Sequence, residues 1–410
     1  MSISGTPRHE VPPTAGLPPA WRDLAPWRPA DASLADALAG FIGVEAVQLE
    51  CSGTAALIVA LTTLHRLSGR RVVVVPAYTC PLVALAVAHC GLRLRLCDLA
   101  ADSIDLDATA LERCCDAQTL AVIPTHLGGR VADIATARGI AERVGAFVIE
   151  DAAQALGARQ AGESVGLAGD AGFFSLAVGK GLTTFEGGVL VTRDAVLRRE
   201  FQRTHSGIVQ RQRGWELRRS LELLGYHIAY RPRLLRLAYG RPLRRALRRG
   251  DAVAAVGDDF GPKIPLHPLG TWRQGVAARA FARWPAFQAD CTARAARHVA
   301  RLARIKGVRV LGDPPGAQGT WPFLWLQLRD EAARDAALTR LWTRGLGVSR
   351  LFIHALPDYA YLRGIVDEAD VPNARKLAAT TLTVSNSPWL DGGAFETLCA
   401  LLHEPRAGTS

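Results

Sequence analysis

Between residues 34 and 195, short runs rich in valine, isoleucine and leucine, all-apolar at 72–75, alternate with stretches whose apolar residues recur at helical spacing. The runs at 72–75, 92–96, 120–123, 147–150 and 188–191 predict strands. The stretch after Ser52-Gly53-Thr54, 82–89 and 132–144 predict helices. Strands apolar on both faces and separated by helices imply an α/β fold with a mainly parallel sheet covered on both sides. Further on, 272–305 reads as a long helical stretch kinked or broken at Pro285. Strands at 308–311 and 323–328 and a helix at 332–344 follow, as a smaller α+β domain. Residues 1–33, with seven prolines and Trp21 and Trp27, read as an extended arm that packs late or swaps onto a neighbour and carries little chemistry. The expected organisation is an arm (1–33), a large domain (34–200), a helical insertion (201–255) and a long helix with the small domain (256–410), with a junction near 255 ahead of Gly261-Pro262.

Composition narrows the class. At 410 residues, 49% hydrophobic and 21% charged, the chain is a globular protein large enough for two domains, not a disordered one. No apolar run approaches the roughly 18 residues of a spanning helix, and the first residues lack a secretory layout, so the expected location is cytoplasmic. Eight cysteines form no CxxC pair and have no histidine at zinc-finger spacing, so neither a disulfide scaffold nor a metal site is expected.

Charge changes the picture more. Only Lys180, Lys263, Lys306 and Lys376 are lysines among 49 basic residues. Residues 201–250 hold 13 arginines against Glu216 and Glu222, a net charge of +11 that equals that of the whole chain. Leu217, Leu221, Leu224 and Ile228 share one helical face. Leu234, Leu235 and Ala238 follow, then Leu243, Ala246 and Leu247 interleaved with Arg244, Arg245, Arg248 and Arg249. Pro232 and Pro242 are expected to break the segment into short helices. Two readings stand: residues 211–250 touch the inner membrane face or an acidic partner, or they form a hairpin over the active site whose arginines meet nucleotide diphosphates or water. Nucleic acid is not expected, since no reading motif accompanies the charge.

Three features carry candidate chemistry. Cys51-Ser52-Gly53-Thr54 opens a helix, where free backbone N–H groups and the positive dipole end favour an anion, although a plain N-cap has the same pattern. Val148-Ile149-Glu150-Asp151 ends an apolar strand in a carboxylate at the carboxyl edge of the sheet, where open α/β folds bind ligands; a helix N-cap is the other reading. Gly172-Phe173-Phe174-Ser175 precedes Lys180 in an apolar, glycine-rich setting. An anion cup, a buried carboxylate and a desolvated lysine together suit pyridoxal 5'-phosphate, and arginine cannot replace that lysine because it keeps its proton.

With Val75-Pro76-Ala77-Tyr78-Thr79, Pro124-Thr125-His126-Leu127-Gly128, Glu150-Asp151-Ala152-Ala153-Gln154 and Gly169-Asp170-Ala171-Gly172-Phe173-Phe174-Ser175 leading to Lys180, the chain resembles the DegT/StrS-type sugar aminotransferases. The resemblance implies a fold-type-I large domain with a seven-stranded sheet. It implies Lys180 as the Schiff-base lysine, Asp151 as the pyridinium partner, Gln154 beside the cofactor's 3-hydroxyl, and Gly53, Thr54 and Ser175 as phosphate contacts. Cys80 stands where the family places an aromatic ring over the cofactor, with Tyr78 as the candidate to compensate. Leu269-Gly270-Thr271-Trp272 lacks the family's cross-dimer asparagine. His126 and His354 are candidate substrate contacts, with a structural histidine as the other reading of each. The implied protein is a homodimeric transaminase moving an amino group, from glutamate, to a keto sugar nucleotide for surface polysaccharide or natural-product synthesis. Its rivals are a sugar dehydratase, against which Lys180 argues, and a cofactor-free scaffold acting through the basic segment.

Overall fold

In the computed structural model, which describes residues 7–403, the apolar runs become a seven-stranded sheet. Its strands are β1 (Gln48–Glu50), β2 (Val72–Pro76), β3 (Arg93–Cys97), β4 (Thr119–Val122) and β5 (Phe147–Asp151), and, past the short hairpin β6 (Arg159–Gln160) and β7 (Glu163–Ser164), β8 (Ala171–Ser175) and β9 (Gly188–Val191). The order is β1-β9-β8-β5-β4-β2-β3, and β9 alone runs against the others. Interior strand β2 is buried at every residue, whereas its neighbour, edge strand β3, turns Arg93 and Arg95 outward, as a strand with one open side must. Helices α1 (Leu34–Ile42), α2 (Gly53–Ser68), α3 (Pro81–His89), α4 (Ala108–Cys114), α5 (Ile134–Val144) and α6 (Ala195–Ile208) complete the large domain. Leu197 and Phe201 of α6 join the main core, so the segment from 201 to 208 belongs with this domain rather than with the arginine-rich one.

The basic segment is helical: α7 (Arg213–Ala229), α8 (Pro232–Leu235), α9 (Arg241–Arg248) and α10 (Ala252–Val256). Pro232 opens α8 as expected, but Pro242 breaks nothing. A wide π-turn at Arg236–Gly240 leads into it, in which Arg241 N–H bonds to Arg236 O, and Pro242 falls in the first turn of α9, where its missing N–H costs little. The following helical stretch is two helices, α11 (Thr271–Phe281) and α12 (Trp284–Leu302). They part at Ala282-Arg283, and Pro285 sits in the tolerant first turn of α12. The small domain is a four-stranded antiparallel sheet of β10 (Val308–Leu311), β12 (Phe323–Leu328), β13 (Val348–Ser349) and β14 (Thr381–Ser385), with β11 (Ala317–Gln318) pairing to the hairpin of the large domain.

The arm packs along its own chain. Glu10 N–H bonds to Pro232 O (2.9 Å), Val11 N–H to Gly345 O (2.9 Å), Ala15 N–H to Pro322 O (2.7 Å) and Leu17 N–H to Gly181 O (3.1 Å). It straps the basic segment, the small domain and the Lys180 loop together; Met1 to Thr6 lie outside the described residues.

Candidate active site

A cavity of about 420 Å³ opens at the carboxyl edge of the central sheet, and it gathers residues from every part of the chain. Ser52 caps α2 by accepting from Ala55 N–H (3.0 Å), which leaves the first-turn amides of Gly53 and Thr54 facing the cavity mouth beside Ser175. A Cβ at Gly53 would stand 3.2 Å from that of Ser175, so the cup depends on the missing side chain. Lys180 lies between Gly179 (φ +85) and Gly181 (φ +87), a left-handed pair that turns the loop sharply. A side chain at 179 would meet Thr14 and one at 181 the Trp284 ring.

Asp151 ends β5 inside the cavity. Ala153 N–H donates to its Oδ1 (3.0 Å), and burial pushes its carboxyl up to about 6 against that bond and the nearby Lys180. Lys180 is held below the ordinary lysine range by burial, opposed by Cys80, Asp151 and Asp258 around it. Gln154 Oε1 accepts from Gly128 N–H (2.7 Å). The Cys80 thiol, pushed up to about 12 by burial, lines the cavity as a neutral group.

Gly53, Thr54, Cys80, Asp151, Gln154, Ser175 and Lys180 thus share one cavity, and three expected residues do not line it. Tyr78 is fully buried: its hydroxyl donates to Phe352 O and accepts from Phe352 N–H (both 3.2 Å), and its ring stacks on Trp325. It is committed to the contact with the small domain and cannot substitute for the absent ring. His126 is equally occupied: Nδ1 accepts from Ala132 N–H (3.0 Å) and Nε2 lies 2.9 Å from Glu150 Oε2, so both nitrogens are used below the sheet edge. His354 packs edge-on against Tyr359.

Several lining residues are not among the site candidates read from the sequence. Pro13 and Thr14 come from the arm, where little chemistry was expected, and Thr79 and Thr125 lie 3.3 Å apart over the sheet. Arg350 is the one arginine on the lining among the described residues. Its Nη2 is spent on the carbonyls of Ile353 (2.8 Å) and Ala378 (2.7 Å). No arginine of the basic segment lines the cavity of its own chain.

What the segment does contribute is Tyr239 from its central π-turn and, at its C-terminal end and just beyond, Val256, Gly257, Asp258 and Phe260. Asp258 Oδ2 accepts from the Tyr359 hydroxyl (2.7 Å) and Ile353 N–H (3.0 Å), and burial pushes its carboxyl up to about 6. A carboxyl raised in the folded state stabilises below its unfolded value near 3.9, and that contribution is lost as pH rises through 6. Asp258→Asn keeps an acceptor for Tyr359 without a charge to bury. Thermal melts are expected to place it about 2 kcal/mol above the parent at pH 8 and level with it at pH 4; a variant less stable at pH 8 would contradict this.

Residues 28–230 match the model of the DegT/DnrJ/EryC1/StrS aminotransferase family. GDP-perosamine synthase of Caulobacter vibrioides is 37% identical over 158 residues, 38% of this chain and 42% of that one. The L-glutamine:2-deoxy-scyllo-inosose aminotransferase of Streptomyces paromomycinus is 34% identical over 185 residues, 44% and 43% of the two chains. The match therefore spans less than half the length of these curated relatives. Over the whole fold, the aminotransferase TlmJ of Streptoalloteichus hindustanus superposes with a TM-score of 0.66 at 21% identity, covering 89% of this chain and 87% of that one.

Proposed function

Because the chain belongs to the DegT/DnrJ/EryC1/StrS aminotransferase family, we propose that it is a pyridoxal-phosphate-dependent transaminase acting on a ketone of a sugar or cyclitol. The observation that carries this reading is the meeting of Lys180, Asp151 and the α2 N-terminus in one cavity. The donor set fits the cofactor: two free helix amides and the Ser175 hydroxyl for a phosphate, a desolvated carboxylate for a pyridinium N–H, and the Gln154 amide for a phenolic oxygen. When bound, the cofactor supplies an electron-poor ring that accepts the electron pair released at the donor's α-carbon.

The chain's own residues do the rest. Asp151, costly to ionise alone, is stabilised as a carboxylate by a cation at the ring nitrogen and so keeps that nitrogen protonated. Lys180 Nζ, lowered by burial, takes the proton from the donor carbon and returns it on the other side of the exchange. Leu127, Phe260 and Phe323 keep water from the reacting atoms. Glutamate is the donor we propose, with glutamine as the competitor because a relative's name specifies it. The acceptor is a nucleotide-linked keto sugar or a free keto-cyclitol, as the two relatives' names suggest.

The test is an absorbance spectrum with pyridoxal phosphate. A band from lysine-linked cofactor is expected to form and then bleach on adding glutamate or glutamine. A protein that takes up no cofactor would overturn the reading.

A further inference from the structure

Six of the eleven large apolar side chains exposed among the described residues belong to the basic segment: Leu217, Leu221, Leu224, Ile228, Leu234 and Leu237. At 100° per residue the four on α7 fall within about 60° of one another, while Leu223, Tyr226 and His227 turn to the protein and are buried. Leu217 and Leu221 are 62% and 60% exposed, more than a singly scattered surface residue explains. Arg213 and Arg218 bracket this stripe, and Arg231, Arg233, Arg245 and Arg248 stand exposed on the adjoining turns. Trp21 and Trp27 add to the exposed apolar surface, from an arm whose Leu24 packs against the Leu223, Tyr226 and Tyr230 cluster of the segment.

We propose that this face docks on a bilayer surface containing anionic phospholipid. A second copy of the chain is disfavoured as occupant, because apposing two such faces brings two segments of net charge +11 together, whereas a phosphate-bearing surface neutralises the arginines as the apolar stripe enters the acyl boundary. No helix among the described residues is long and apolar enough to cross a membrane, so the contact is interfacial. The cavity residues take no part in it, so the proposal stands apart from the reading of the active site.

The experiment is co-sedimentation of the full chain with phosphatidylcholine vesicles, with and without phosphatidylglycerol, alongside light scattering of the protein alone. The expected result is binding to the anionic vesicles only, weakened by salt. It should fall about tenfold in Leu221→Ser/Ile228→Ser and similarly in Arg245→Gln/Arg248→Gln, both at exposed positions that leave the circular dichroism unchanged. No sedimentation with anionic vesicles at low salt would overturn it, as would equal binding by the variants. A change from dimer to monomer in Leu221→Ser/Ile228→Ser without loss of lipid binding would assign the face to a second copy and overturn it as well.

Discussion

Lys180→Ala is expected to lower turnover by about four orders of magnitude or more and to abolish the absorbance band formed with pyridoxal phosphate, in a protein whose circular dichroism is unchanged. Two properties of the site make the effect large. Lys180 is the one lysine on the cavity lining among the described residues, so no other amine can take its place. Its amine is also desolvated, which lowers its proton affinity toward the range where a base works at neutral pH. Lys180→Arg should be equally inactive despite its charge, because a guanidinium does not release its proton. Turnover retained by either variant, measured with the donor that bleaches the parent band, would refute the assignment.

The largest effect on stability is expected one residue before Asp151. Glu150 is fully buried and accepts four hydrogen bonds: from Ala168 N–H (2.6 Å) and Gly169 N–H (2.7 Å) at Oε1, and from Gly166 N–H (2.7 Å) and His126 Nε2 (2.9 Å) at Oε2. Burial raises its carboxyl, but His126 and the amide donors outweigh that and leave it below the ordinary glutamate value. Glu150→Ala strands three buried amides and one imidazole. At about 1–3 kcal/mol for each stranded donor, partly relieved by relaxation, the unfolding midpoint should fall by about 5–10 °C. Glu150→Gln keeps one acceptor oxygen and should lose less. A carboxyl lowered in the folded state stabilises above its unfolded value, near 4.3, and loses that contribution as pH falls through its folded value. The gap between parent and Glu150→Gln should therefore close in acid. A pH-independent gap would show that the charge of Glu150 is not what matters. Because the loop 166–169 leads into β8 and Ser175, Glu150→Ala should also weaken cofactor uptake without touching it.

The strands and helices of the large domain were legible in the sequence because local pattern decides them. Valine runs are buried on both sides only in a covered parallel sheet, and Ser52 and Asp151 stand at element ends where capping and exposed backbone amides are local facts. Lys180 was legible for a different reason: in a chain with four lysines, one set among glycines and apolar residues stands out.

Tertiary structure alone decided the rest. Tyr78 and His126 belong to the same motifs as true lining residues, and only the small-domain loop and Glu150, distant or opposite in the fold, show that their polar atoms are already satisfied. Asp258 and Thr14 lie in segments without periodicity and enter the cavity because long-range hydrogen bonds to residues 353, 359 and 322 place them there. Periodicity in the basic segment likewise revealed an amphipathic helix but not which apolar residues face the protein. Leu223 is buried while Leu224 is exposed, because packing against the arm and α11 uses one side of α7 and leaves the other to solvent. Sequence specifies what each element is able to bury; the contacts available in the folded chain determine which of those surfaces is used.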